Sequence, residues 1–135
     1  MNPQPQRENK QLHYPPQGAY VVLRVADIEQ SARFYTLVGF TLVREQHGEG
    51  PEHYSFYLRD NLPCELFPWR GEGPPPQNSV RIGVEVEDVS STKDKLIEGG
   101  FQIVRESSSD TRPAWCIALD PNGNQVEISG PRAMK

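Results

Sequence analysis

The chain uses one phrase twice. Residues 39–45 read GFTLVRE and residues 100–106 read GFQIVRE, a displacement of 61 positions. The same displacement relates Val25, Asp27 and Ile28 to Val86, Asp88 and Val89, and Tyr20 to Arg81. An internal repeat of this kind means one supersecondary module present in two copies, and it fixes the architecture before any single residue is placed. Two similar sheets that meet enclose a space, and residues at matching positions of the copies converge on it.

Each copy carries the same order of signals. A β-rich run (AYVVLRV, VRIGVEV) leads to a helix-capping aspartate, Asp27 in one and Asp88 in the other. Gln30 three residues after Asp27 completes the pattern of a capping box. Apolar residues then recur at helical spacing, Ile28, Ala32 and Tyr35, or Val89, Leu96 and Ile97. Gly39 and the pair Gly99 and Gly100 stop the helices. Three strands are predicted after each helix, over residues 40–46, 53–59 and 63–67, then 101–106, 114–119 and 125–129. Asp120-Pro121-Asn122-Gly123 supplies the Pro and Gly of a tight turn before the last strand. The unit is βαβββ, and the fold class is α+β, with two paired modules forming curved mixed sheets around a concave cleft.

Proline marks the boundaries: four of the 13 lie in the first 16 residues and three form the run at 74–76. An N-terminal arm (1–17), a first module (18–69), a linker (70–78), a second module (79–130) and a short tail (131–135) follow. At 135 residues the chain is long enough to bury its own core. Its net charge of −4 and scattered Lys and Arg give no footprint for nucleic acid. MNPQPQRENK lacks the apolar stretch of a secretory signal, and the run at 19–26 is too short to span a bilayer. A cytoplasmic protein is expected, with Cys64 and Cys116 as reduced core thiols.

Strand parity sorts the side chains. Val21, Leu23 and Val25, like Ile82, Val84 and Val86, form an apolar face for the helix, joined by Leu66, Val126 and Ile128. The opposite face carries Tyr20, Val22 and Arg24, then Arg81, Gly83 and Glu85, with Glu65, Phe67, Gln125, Glu127 and Ser129 from the closing strands. None of the three histidines falls on that face by this count. His47 and His53 flank GEGPE in a predicted hairpin tip, where they can form a metal pair or simply be solvated, and His13 belongs to the arm.

Paired βαβββ modules, the stretch VLRVADIEQSARFYTLVGF and the segment LDPNGNQVEI resemble the vicinal oxygen chelate superfamily. Its members include glyoxalase I, the bleomycin resistance proteins, fosfomycin resistance enzymes and extradiol dioxygenases. In metal-dependent members the resemblance implies a divalent ion held at the positions that are Tyr20, Glu65, Arg81 and Glu127 here. Two carboxylates are present. Arginine, always charged and without a lone pair, both removes a ligand and places a positive charge where a cation would sit. Arg81 is therefore expected to replace the ion beside Glu65 and Glu127. Arg24 matches an arginine that grips the glutathione carboxylate in glyoxalase I, but Trp69 and Gln77 stand where an asparagine and an arginine are expected. The His-His-Glu set of the extradiol and fosfomycin branches is also missing.

Trp69, Trp115 and Phe67 offer aromatic walls beside these charges, and Trp115 shares a face with Glu127 if residues 120–124 form a simple turn. The reading is a metal-free small-molecule binding or sequestering protein. Its ligand-binding residues are Tyr20, Arg24, Glu65, Phe67, Trp69, Arg81, Trp115 and Glu127, and it has no cofactor and no nucleic-acid or membrane partner. The alternative is a glyoxalase-type lyase, isomerase or dioxygenase in which Glu65 and Glu127 hold Ni, Zn, Fe or Mn, or in which one of them acts as a base. The charge of Arg81 favours an ionised carboxylate and so weakens it as a proton acceptor. A third reading, paired sheets serving assembly alone, has no site. The resemblance further implies a homodimer. A nine-residue linker reaches roughly 30 Å when extended and allows the modules to pair within a chain or between chains.

Overall fold

The computed structural model describes residues 16, 18–75 and 80–132. The arm at 1–15 with His13, residue 17, the last three linker residues (76–78, with Gln77), residue 79 and the end of the tail (133–135) lie outside the described residues.

Two four-stranded sheets are formed, each from one copy of the repeat. The first contains β1 (Val21–Val25), β2 (Val43–Glu45), β3 (His53–Arg59) and β4 (Leu62–Pro68) in the order β1-β4-β3-β2. The second contains β5 (Arg81–Glu85), β6 (Gln102–Glu106), β7 (Trp115–Leu119) and β8 (Gln125–Ser129) in the order β5-β8-β7-β6. In each, the first strand pairs parallel with the last and the remaining pairs are antiparallel. The parallel pair needs a crossover, which α1 (Ile28–Val38) and α2 (Val89–Glu98) provide.

The helices begin and end for local reasons. Asp27 accepts from the N–H groups of Glu29 (3.0 Å) and Gln30 (3.2 Å), and Asp88 accepts from that of Ser91 (3.0 Å). Half of the predicted capping box is absent, because Gln30 Oε1 turns outward to accept from Arg33 (3.3 Å). Gly39 ends α1 at φ 128°, a conformation that a Cβ would strain. The N–H of Phe40 then closes the turn on the carbonyl of Tyr35 (3.1 Å). This turn shortens the predicted strand at 40–46 to Val43–Glu45: Phe40 leaves the ladder and packs its ring 4.8 Å from that of Phe56.

Burial follows the predicted parity. Val25, Phe34, Tyr35, Cys64, Leu66, Leu96, Cys116, Val126 and Ile128 are fully buried between helices and sheets. Each large apolar side chain so placed contributes roughly 1.5–3 kcal/mol. Both cysteines are free thiols in this layer, and burial pushes Cys64 up to about 12 and Cys116 upward.

The two modules meet through their helices and through the β7–β8 turn. Phe34 of α1 stands edge-on to Phe101 at 5.2 Å, and Arg33 lies over the same ring while donating to the carbonyl of Gly99 (2.9 Å). A Cβ at Gly99 would come within 2.6 Å of the Leu37 side chain, so the absence of one permits the approach. The turn is tight, with Asp120 N–H donating to Asn124 O (2.9 Å) and Gly123 N–H to Asp120 O (3.0 Å), and Gly123 at φ 89°. Asn122 docks it on β1, accepting from the Ala26 N–H (3.1 Å) and donating to the Arg24 carbonyl (3.4 Å). No described helix is long and apolar enough to cross a membrane.

Candidate functional site

The face of each sheet opposite its helix carries the polar and aromatic residues, and the strand registers arrange them in rows. In the first sheet Val22 lies beside Glu65, Glu65 beside Ser55, and Ser55 beside Val43. The next row runs from Arg24 to Phe67, and from His53 to Glu45, with the His53 and Phe67 rings bridging the two pairs. In the second sheet Arg81 lies beside Gln125 and Leu119, Gly83 beside Glu127 and Ile117, and Glu85 beside Ser129 and Trp115. Val22 and Gly83 are related by the repeat, so Glu65 and Glu127 occupy equivalent places in the two sheets.

Arg81 reaches along its own sheet. Its Nε and Nη2 donate to Gln125 Oε1 (3.1 and 2.7 Å), and Nη1 lies 3.4 Å from Glu127 Oε1. The pair is open to solvent, with side chains 49% and 40% exposed. Glu65 forms no ion pair with another described residue. It lines an open hollow of about 240 Å3 with Glu45, Ser55 and Val43, all from the first module. Arg81 thus pairs with one of its two expected carboxylates. A divalent ion at the Tyr20, Glu65, Arg81 and Glu127 positions does not fit these contacts, since the guanidinium already lies against Glu127 and brings its own charge.

The aromatic residues are distributed over both modules. Tyr20 precedes β1 and is 69% exposed. Arg24 lies over the Phe67 ring at 5.5 Å, and Phe67 is in turn stacked on His53. Trp69 caps the end of β4: its backbone N–H donates to Val25 O (2.8 Å), its indole N–H donates to Gly73 O (3.0 Å), and Gly71 lies directly against its ring. Trp115 is on the face of Glu127, as the tight turn implied, with the Arg105 guanidinium 5.9 Å from its ring centre. It also borders a hollow of about 340 Å3 on the edge beside α2, walled by Lys93, Glu106, Ser107 and Ser109.

The placement of His53 corrects the sequence reading. It is the first residue of β3, as predicted, but it is fully buried rather than solvated at a hairpin tip, faces away from the helix on the side where no histidine was expected, and stacks on Phe67 at 4.1 Å and 12°. Two observations could have found it. His53 has the parity of Ser55, and the partner of Ser55 is Glu65. The β3–β4 ladder shifts register between Tyr57 and Arg59, however, so counting back from the turn assigns the wrong face.

Comparison with known proteins agrees with this architecture. Residues 18–128 match the family model described as Glyoxalase/Bleomycin resistance protein/Dioxygenase superfamily. A protein from Synechocystis sp. named as a probable lactoylglutathione lyase is 28% identical over 119 residues, covering 81% of this chain and 91% of the relative. TnmS3, an antibiotic binding protein from Streptomyces sp. CB03234, superimposes with a TM-score of 0.65 at 22% identity, over 87% of this chain and 98% of that one. The protein SA1046 from S. aureus superimposes with a TM-score of 0.68 at 19% identity, over 90% and 98%. At these identities the structural likenesses establish the fold.

Proposed function

This chain belongs to the glyoxalase/bleomycin resistance protein/dioxygenase superfamily, and we propose that it binds or sequesters a small organic molecule without using a metal at the superfamily's usual metal position. The observation that carries the reading is the Arg81 guanidinium on Gln125 and Glu127. A fixed positive charge there serves as an anchor for a polar group of a ligand and repels a divalent ion. Arg24, Glu65, Phe67, Trp69, Trp115 and Glu127, with Tyr20 at the rim, supply aromatic surface and charges of both signs, the mixture by which small-molecule sites fix orientation. The likeness to an antibiotic binding protein supports a ligand of organic type.

Assembly is part of the proposal. The hollow at Glu65 is lined by one module only, and a second copy of the chain would cover the helix-free faces and bring a Glu65 half-site to an Arg81 and Glu127 half-site. The reading takes the protein as a cytoplasmic homodimer, which suits two buried free thiols.

A second reading, a metal-dependent lyase using Glu65 and Glu127, is favoured by the name of the Synechocystis relative and opposed by Arg81. One experiment separates them. Titration with a panel of planar aromatic and cationic compounds, followed by tryptophan fluorescence, should give saturable quenching, weakened by Glu127→Gln for cationic compounds and by Arg81→Met for those anchored through a polar or anionic group. Lactoylglutathione lyase activity that appears on adding nickel or zinc and vanishes in Glu127→Gln would reverse the preference.

A further inference from the structure

We propose that Glu45, His47 and His53 form a binding site for a divalent first-row transition ion, Zn2+ foremost, on the helix-free face of the first sheet. One ligand atom from each of the three lies within 4.8 Å of the others. Glu45 Oε1 is 3.4 Å from His53 Nε2 and 3.7 Å from His47 Nε2. Ligand atoms about 2.1 Å from a tetrahedral zinc stand about 3.4 Å apart, so the two Glu45 separations already fit and the two histidines are left to close on each other. His47, on an exposed loop, can supply that movement.

The loop is built to return His47 to the sheet. After Glu45 ends β2, Gln46 Nε2 donates to Gly50 O (2.8 Å) and the Gly50 N–H donates to His47 O (3.0 Å), with Gly48 at φ 58°. The result is a tight bend that leaves the two imidazoles 5.1 Å apart. Imidazole and carboxylate together suit zinc and its neighbours, and three protein ligands leave a coordination position open.

An independent observation points to an ion. His53 is fully buried, held by Phe67 on one face, and its Nδ1 lies 3.2 Å from the carbonyl of Pro51. That contact calls for a proton on Nδ1, the arrangement by which a backbone carbonyl orients a metal-binding histidine. Nε2 then presents a lone pair, and among the described residues it has no hydrogen-bond partner. What it faces is the Glu45 carboxylate, which is also an acceptor. His53 is buried and the Glu45 side chain is 34% exposed, so the unmet acceptor is Nε2, and two acceptors held face to face favour something positive between them. A cation satisfies Nε2, the carboxylate and His47 together. A second proton on His53 is the competing occupant. Glu45 and Glu65 line the same hollow, so an ion here would stand at its wall, separate from the Arg81 position.

Untagged protein, stripped with a chelator and dialysed, should bind Zn2+ alone with one site per chain in a calorimetric titration. His47→Ala and Glu45→Gln should each weaken it by about tenfold or more, since loss even of a group behind a ligand costs about 10- to 100-fold. Glu127→Gln should leave it unchanged. Co2+ should give ligand-field absorption that His47→Ala removes. His47 is 73% exposed on its loop, so its variant keeps the fold, and circular dichroism checks this. No saturable Zn2+ binding in the wild type, binding untouched by both His47→Ala and Glu45→Gln, or binding lost in Glu127→Gln would each overturn the proposal.

Discussion

The hydroxyl of Tyr35 in the first module donates a 2.6 Å hydrogen bond to the carboxylate of Asp120 in the second. Both residues are buried, and Asp120 also accepts from the backbone N–H groups of Asn122 (2.9 Å) and Asn124 (2.8 Å) and from the Asn124 amide (2.9 Å). The carboxylate that shapes the β7–β8 turn is therefore the same one that ties the turn to α1.

Tyr35→Phe removes one of four donors to Asp120 and leaves the ring packing in place. A hydrogen bond to a charged group contributes about 1.5–3 kcal/mol, and that loss is expected in urea unfolding with an unchanged slope. A change below about 0.5 kcal/mol would mean that the bond is not formed in solution.

Alkaline pH should destabilise the protein. Burial, then the charges of Glu65 and Asp120, lifts the Cys64 thiol from 9.0 to about 12. Burial, then the charge of Asp120, raises the Tyr35 phenol well above its ordinary value of 10.0. The unfolded chain releases these protons first, so the folded state binds more of them, and stability falls as pH rises. The contribution of Cys64 is complete below pH 9 and declines towards 12, with Tyr35 adding to the decline above 10. Urea midpoints measured at pH 8, 9, 10 and 11 should decrease in turn, and Cys64→Ala should flatten the decrease.

Arg81→Met should cost less than about 1 kcal/mol of stability, because its ion pair with Glu127 is about half exposed. Its effect is expected on ligand affinity instead. A large loss of stability with binding intact would remove Arg81 from the proposed site.

Light scattering at micromolar concentration should report a dimer. Mixing Glu65→Gln with Glu127→Gln chains should restore ligand binding in part if each site draws on two chains, since one of the two sites in a mixed dimer then keeps both carboxylates. A monomer that still quenches its tryptophan fluorescence on titration would place the whole site within one chain.

The architecture was legible in the sequence because the repeat is local and strongly patterned. Asp27, Asp88, Gly39 and Gly100 punctuate both helices, and β3 and β8 run over the residues predicted for them. Where a tertiary contact competes, the pattern fails. Phe40 satisfies a helix-terminating turn and an aromatic cluster rather than β2. The face of His53 depends on one extra residue near Leu58, a register shift with no strong local signature. The reach of Arg81 to Gln125 and Glu127 depends on which rotamer a long side chain adopts, which no spacing rule gives.

The Tyr35 to Asp120 bond runs in one direction only. At the repeat position of Tyr35 the second copy has Leu96, fully buried and with nothing to donate. The two halves are consequently no longer interchangeable parts. A chain assembled from two first halves would keep the tyrosine and lose its acceptor, and one assembled from two second halves would keep the acceptor and lose the hydroxyl. The contact therefore demands one half of each kind, whichever of them comes first in the polypeptide.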